Sequence, residues 1–189
     1  MSNDYLRDVS ILVVDDQEFI RMLVREMLRA LGAAQIFDAS NGEDAWAFLQ
    51  SRSVDLLITD WYMEPVDGLT LTRRIRHDPK STNPYLPVIM ISGFAEAPRI
   101  VQARDAGVNE FVVKPLSPKA LFSRIQNVIE NPRQFVRTKD FFGPDRRRKS
   151  EAVKTDNRAA PPTDQDPNRQ MSQDDVNAFL HPDEEPLAS

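Results

Sequence analysis

The sequence predicts an α/β fold: a doubly wound, five-stranded parallel sheet with helices on both faces. Three observations carry that prediction. Between residues 8 and 130, short apolar runs alternate five times with amphipathic segments. Most of the runs lack polar alternation, as expected of strands buried on both faces. Polar side chains recur where the runs end, which is where open parallel sheets bind their ligands.

The elements follow in order. "SILVV" (10–14) is the first strand; Phe19, Ile20, Leu23, Val24, Met27, Leu28 and Leu31 then recur at helical spacing, and Gly32 supplies the stop. "QIFDA" (35–39) is the second strand, and Ser40 with Glu43 forms a capping box for a helix carrying Ala45, Phe48 and Leu49. "DLLIT" (55–59) is the third strand, followed by a helix from Gly68 to His77-Asp78-Pro79. "PVIMIS" (87–92) is the fourth, and its helix begins near Pro98 and ends at Gly107. "FVVK" (111–114) is the fifth; Ser117 as cap and Pro118 in the first turn open a last helix to about Ile129.

Composition changes near Asn131-Pro132. The 59 residues from 131 onward hold seven of the 14 prolines and only scattered apolar side chains. Such a segment buries too little surface to offset the entropy of ordering it, so residues 131–170 are expected to be a disordered linker. The expected domain organisation is a folded unit over 8–130, that linker with a basic and aromatic stretch at 137–149, and a short helical docking motif at 171–180.

The chain lacks cysteine, which excludes disulfides and thiolate metal sites. Its net charge of −5 argues against a dedicated nucleic-acid binder, and the tail has no room for a DNA-binding domain. No apolar run is long enough to span a bilayer. The polar start "MSNDYLRD" does not suit a secretory signal, so a soluble, cytoplasmic protein is expected.

Asp15 and Asp16 end the first strand, Asp60 the third, Ser92 the fourth and Lys114 the fifth. Three carboxylates in one place repel unless cations join them. All the donors are hard oxygens, so magnesium is the natural ion, with manganese or calcium as substitutes. A carboxylate nucleophile, a divalent cation, a lysine and a hydroxyl together suit phosphoryl transfer onto the carboxylate. No P-loop is present. An aspartate-dependent, magnesium-dependent phosphatase is the alternative, but it needs a second acid two residues after the nucleophile, where Tyr62 stands. A non-phosphorylated scaffold is the other alternative.

"ILVVDD", "ITDWYMEPVDG", "VIMISG" and "FVVKP" resemble, in order and spacing, the motifs of the response-regulator receiver domain over about residues 8–130. Single-domain chemotaxis receivers are the nearest likeness. The resemblance implies a flavodoxin-like strand order 2-1-3-4-5 and a two-component signalling role. Asp60 would be the phosphoacceptor, with a sensor histidine kinase as phosphodonor. Asp16 would bind Mg2+ directly, Asp15 through water, and Asp60 and the Tyr62 backbone carbonyl would complete the protein ligands. Lys114 would pair with the phosphoryl group, Ser92 would move towards it, and Phe111 would be the switch aromatic that turns inward. The implied output is protein contact through the fourth helix, fifth strand and fifth helix, with self-catalysed phosphotransfer and dephosphorylation the only chemistry. The resemblance also implies a cis Lys114–Pro115 bond. Glu64 departs from the pattern by intervening before Pro65. Tyr62 and Phe94 stand where receivers tune water access to the phosphoaspartate.

Two tail segments stand out. "RTKDFFGPDRRRK" (137–149) suits RNA, an anionic membrane or an acidic partner, or else its Phe141-Phe142 pair packs back on the folded domain. In "MSQDDVNAFL" (171–180), Ser172 and Asp175 stand at capping-box spacing, and Val176, Phe179 and Leu180 form a one-turn apolar face. That face is sized for a partner's groove. The ten residues also resemble the N-terminal peptide of flagellar motor switch proteins, which chemotaxis receivers bind. Residues 171–180 are therefore expected to dock on a receiver output face, in the same molecule or a neighbour. The expected output targets are the flagellar switch or another receiver.

Overall fold

The structure, a computed structural model, describes residues 5–138, 141–145 and 170–180, the last three of these by backbone alone. Five parallel strands, β1 (Ser10–Val14), β2 (Gln35–Ala39), β3 (Leu56–Asp60), β4 (Val88–Ser92) and β5 (Glu110–Val113), lie in the order β2-β1-β3-β4-β5. Both the expected fold class and the strand order are therefore observed. The intervening helices are α1 (Glu18–Ala30), α2 (Gly42–Ser51), α3 (Gly68–His77), α4 (Ala97–Asp105) and α5 (Pro118–Glu130).

Successive strand residues face opposite sides, so each central strand feeds two cores. Ile11, Val13, Ile58, Ile89 and Val112 pack with Val24 and Leu28 of α1 and Leu121 and Ile125 of α5. Leu12, Val14, Leu57, Met90 and Phe111 face α2, α3 and α4 through Ala45, Leu49, Leu71, Ile75 and Ile100. Every residue of β3 and β4 is buried, which explains their unbroken apolar runs. Edge strand β2 keeps only Ala39 buried.

Local signals set most boundaries. Gly32 and Gly107 adopt φ of 89° and 91° and close α1 and α4, a left-handed conformation that glycine takes without strain. Ser117 Oγ accepts from the Ala120 N–H at 3.1 Å and caps α5. The start of α2 differs from expectation. Asn41, not Ser40, is its N-cap, and Asn41 Oδ1 accepts from Glu43 N and Asp44 N at 2.9 Å each. Ser40 instead donates to the Asp44 carboxylate at 2.6 Å. Asn41 stands at the cap position, and its one side-chain oxygen satisfies two of the N–H groups that the helix start leaves free.

Part of the expected linker is ordered. β6 (Phe135–Arg137) and β7 (Phe142–Pro144) pair as an antiparallel hairpin. Phe142 is buried, and its ring lies 5.2 Å from Tyr85 and 5.6 Å from Phe135, so one of the two tail phenylalanines does pack back on the domain. Residues 139–140 and 146–169, with the rest of the basic stretch, lie outside the described residues. The reason for the hairpin is under it. Arg76 of α3 is 2% exposed, and its guanidinium faces the Phe135 ring at 5.0 Å. It donates to Gly107 O at 2.8 Å, Leu86 O at 2.7 Å, Pro84 O at 2.9 Å and Asn109 Oδ1 at 3.2 Å. All four acceptors are uncharged, and burial lowers the Arg76 pKa to about 9. Arg76→Leu would strand the Gly107, Leu86 and Pro84 carbonyls, each at a cost of about 1–3 kcal/mol, whereas Asn109 Oδ1 keeps the Val88 N–H at 2.9 Å. A lower urea midpoint, reflecting a loss of about 3 kcal/mol or more of unfolding free energy in total, is the expected result.

One further helix, α6 (Gln173–Leu180), packs near α4 and β5. Among the described residues, no helix is long and apolar enough to cross a membrane.

Candidate functional site

The carboxyl ends of β1, β3, β4 and β5 bring the five singled-out polar residues to one edge of the sheet. Asp60 is the last residue of β3 and Ser92 the last of β4, while Asp15 and Lys114 each directly follow a strand. Asp15, Asp60 and Ser92 are all buried, and Asp16 is exposed.

Lys114 Nζ lies 2.6 Å from Asp60 Oδ1 and 3.4 Å from Asp15 Oδ2, so one ammonium joins two buried carboxylates. Backbone amides hold the other oxygens: Tyr62 N–H donates to Asp60 Oδ2 at 2.8 Å, and Gln17 N–H to Asp15 Oδ1 at 2.8 Å. Lys114 N–H donates to Ser92 O at 2.8 Å, fixing the lysine backbone beside the hydroxyl. Ser92 Oγ accepts from Phe94 N–H at 3.1 Å and keeps its own proton to donate. The Lys114–Pro115 bond is cis, as the resemblance implied, and Glu64–Pro65 is cis as well.

Burial raises the Asp60 pKa to about 6; Lys114 pulls it down, and Asp15 and Asp16 push it up again. For Lys114, burial acts downward, but the hydrogen bond and charge of Asp60, with Asp15, raise its pKa above the usual value.

The expected magnesium ligands are not drawn into one shell. Among the described residues no three acidic, histidine or cysteine side chains converge as a metal cluster. Asp15 and Asp60 close on Lys114, and Asp16 is exposed beside them, near enough for its charge to act on Asp60. The donor chemistry still fits a hard divalent cation, because the carboxylates of Asp15, Asp16 and Asp60 and the Tyr62 carbonyl offer only oxygen.

Residues 11–126 match the family model described as the response regulator receiver domain. The chain belongs to the response regulator receiver family. It is 36% identical over 122 residues to a chemotaxis protein CheY of Pseudomonas aeruginosa, covering 65% of this chain and 97% of that one. A putative response regulator from Chloroflexus aurantiacus has a similar structure, with TM-score 0.60, 28% identity, and 65% and 98% of the two chains covered. So does the crystal structure of the CheX–CheY–BeF3–Mg complex from Borrelia burgdorferi, with TM-score 0.58, 26% identity, and 64% and 89% covered. These likenesses place the chain in two-component signalling, in which receivers are phosphoacceptors and not classical enzymes.

The receiver's remaining singled-out residues surround this centre. Tyr62 and Phe94 are exposed aromatics whose rings meet edge to face at 5.6 Å. Arg99, which sequence reasoning missed, lies 5.2 Å over Tyr62 and 5.3 Å over Phe94 and pairs with Glu96 at 2.8 Å. Glu64 is exposed. Phe111 is buried, with its ring edge-on to Trp61 at 6.2 Å.

The tail motif is on the receiver itself. Ser172 and Asp175 make the reciprocal capping bonds at 3.0 and 3.1 Å. Val176 is fully buried in the same core as Phe111, Ala95, Ile100 and Ala103. The side chains of Phe179 and Leu180 lie outside the described residues. Gln170 and Gln173, flanking the apolar residues, make direct bonds to the receiver; periodicity carries no signal for such polar contacts.

Proposed function

We propose that this receiver accepts a phosphoryl group on Asp60 from a histidine-kinase phosphodonor and signals by protein contact in a chemotaxis pathway. The observation that carries the reading is the Lys114 ammonium at 2.6 Å from one Asp60 oxygen and 3.4 Å from Asp15. An Asp60 oxygen attacks phosphorus, the bond to the donor's leaving group breaks with its electron pair, and an acyl phosphate forms. Lys114 neutralises charge on the transferred oxygens, and the Ser92 hydroxyl donates its free proton to one of them. Asp15, Asp16, Asp60 and the Tyr62 carbonyl would hold Mg2+, which when bound offsets the phosphoryl charge. Support for the ion comes from the hard-oxygen donors and from the magnesium present in the CheX–CheY complex of Borrelia burgdorferi.

Output then passes through α4, β5 and α5. Phe111, three residues before Lys114, serves as the switch, and residues 171–180 dock on that face of the same chain. Burial of both Phe111 and Val176 in one core supports this. The chemotaxis assignment rests on relatives of 33–36% identity. Tyr62 in place of a second acid disfavours the phosphatase alternative.

Incubation with acetyl phosphate and magnesium, followed by intact mass, tests the reading. One added phosphoryl group is expected on the wild type and none on Asp60→Asn. Retention of the adduct by Asp60→Asn, or turnover of unrelated phosphoesters, would overturn it.

A further inference from the structure

β5 is an edge strand of the sheet. Its residue-by-residue alternation sends Lys114 N–H inward to Ser92 O on β4. Phe111 and Val113, of opposite parity, direct their backbone groups off the free edge. An open edge of this kind invites another strand. Here a side chain takes the strand's place. Gln173 Oε1 accepts from Val113 N–H at 2.6 Å, and Gln173 Nε2 donates to Phe111 O at 3.0 Å. A carboxamide has one donor face and one acceptor face, so it copies a peptide unit; a carboxylate has no donor and an ammonium no acceptor.

The same chemistry repeats one step earlier. Gln170 Oε1 accepts from Ala95 N–H at 3.0 Å, and its Nε2 donates to the Glu96 carboxylate at 2.8 Å. Met171 N–H adds a bond to Ala95 O at 3.0 Å, and Glu96 and Gln170 form an antiparallel bridge. Three residues beyond Gln173, Val176 is fully buried. The β4–α4 loop and the β5 edge therefore engage residues 170, 173 and 176 at equal spacing, two carboxamides and one β-branched apolar side chain.

We propose that this surface is a peptide-reading site for a Gln-x-x-Gln-x-x-Val sequence entering a helix, and that residues 170–176 of the same chain are its resident, displaceable occupant. The inference deepens the tail-docking part of the proposed function. It does not depend on Asp60 chemistry. The 24 residues between Asp145 and Gln170 span up to about 80 Å when extended, enough to reach the site from any point on the domain. Tethering of that kind raises the local concentration of the occupant to the order of millimolar, so a free competitor must overcome it.

The test uses a fluorescein-labelled peptide of residues 168–180 and anisotropy with the full-length, unphosphorylated chain. Val176→Asp in the full chain opens the site, and the peptide is expected to bind it about tenfold or more tighter than the wild type. Full-length Gln173→Ala repeats the comparison with the apolar contact intact. On either opened chain, peptides carrying Gln170→Ala or Gln173→Ala are expected to bind about tenfold weaker, a loss of roughly 1.4 kcal/mol. Equal binding by wild type and both opened chains would overturn the occluded site. Equal binding by parent and substituted peptides would overturn carboxamide reading. A wild-type dimer in sedimentation that Val176→Asp abolishes would overturn occupancy by the same chain. No phosphodonor is present, so failure here is distinct from failure of the Asp60 assignment.

Discussion

Asp60→Asn is expected to stabilise the protein at about pH 8 in chelator-treated buffer and to leave stability unchanged near pH 3.5. The folded state raises the Asp60 pKa from 3.8 to about 6, chiefly through burial. Below the unfolded value both states carry the proton, and the group's favourable contribution is complete. As pH rises through about 6 the folded state holds a charge that burial disfavours, and that contribution is lost. A shift of this size corresponds to about 3 kcal/mol. Asparagine stays neutral throughout but removes one partner of Lys114, which keeps only Asp15 at 3.4 Å. The net gain expected at high pH is therefore about 1–2 kcal/mol, seen as a rise of several degrees in melting temperature. Thermal melts of both chains from pH 3.5 to 8 give the comparison. A difference that stays constant across that range would contradict burial of the Asp60 charge.

What the sequence revealed and what it hid divide along physical lines. Strands β1 and β2 sit where the residues placed them, and β3 to β5 within a residue, because flanking helices force apolar runs or mark their ends. The five polar residues at the strand ends were legible because strand-to-helix periodicity fixes which edge they occupy. The start of α2 slipped from Ser40 to Asn41 because both side chains can cap and only geometry chooses between them. The hairpin was hidden for a different reason: its strands have three residues each, and Tyr85 and Arg76, far away in sequence, supply its packing. Gln170 and Gln173 were invisible in the tail motif because polar side chains show their role only once the β5 edge is in place. Val176 was legible through its apolar character and buries as that character suggests.

Gly68→Ala is expected to cost the most stability of any single-methyl change at this edge of the sheet. Gly68 opens α3, and its N–H donates to Trp61 O at 2.9 Å, holding the helix start against the end of β3. A Cβ there would meet Asp60 O at 2.0 Å and Thr59 Oγ1 at 2.8 Å. Asp60 O belongs to a buried central strand and cannot move aside, so α3 must retreat and the 61–67 loop with it. Overpacking of this kind costs about 1–3 kcal/mol, and contact with backbone puts the expected value at the upper end. The same movement shifts the Tyr62 N–H that holds Asp60 Oδ2, so phosphoryl acceptance is expected to fall as well. Gly93→Ala is the matched control: it lies at the same edge, just after Ser92, and an added Cβ meets nothing within 4 Å. Urea unfolding should separate the two variants by about 2 kcal/mol or more, with Gly93→Ala close to wild type. Equal midpoints would mean that α3 can slide along β3, and that the backbone of Asp60 is not fixed by the close approach of Gly68.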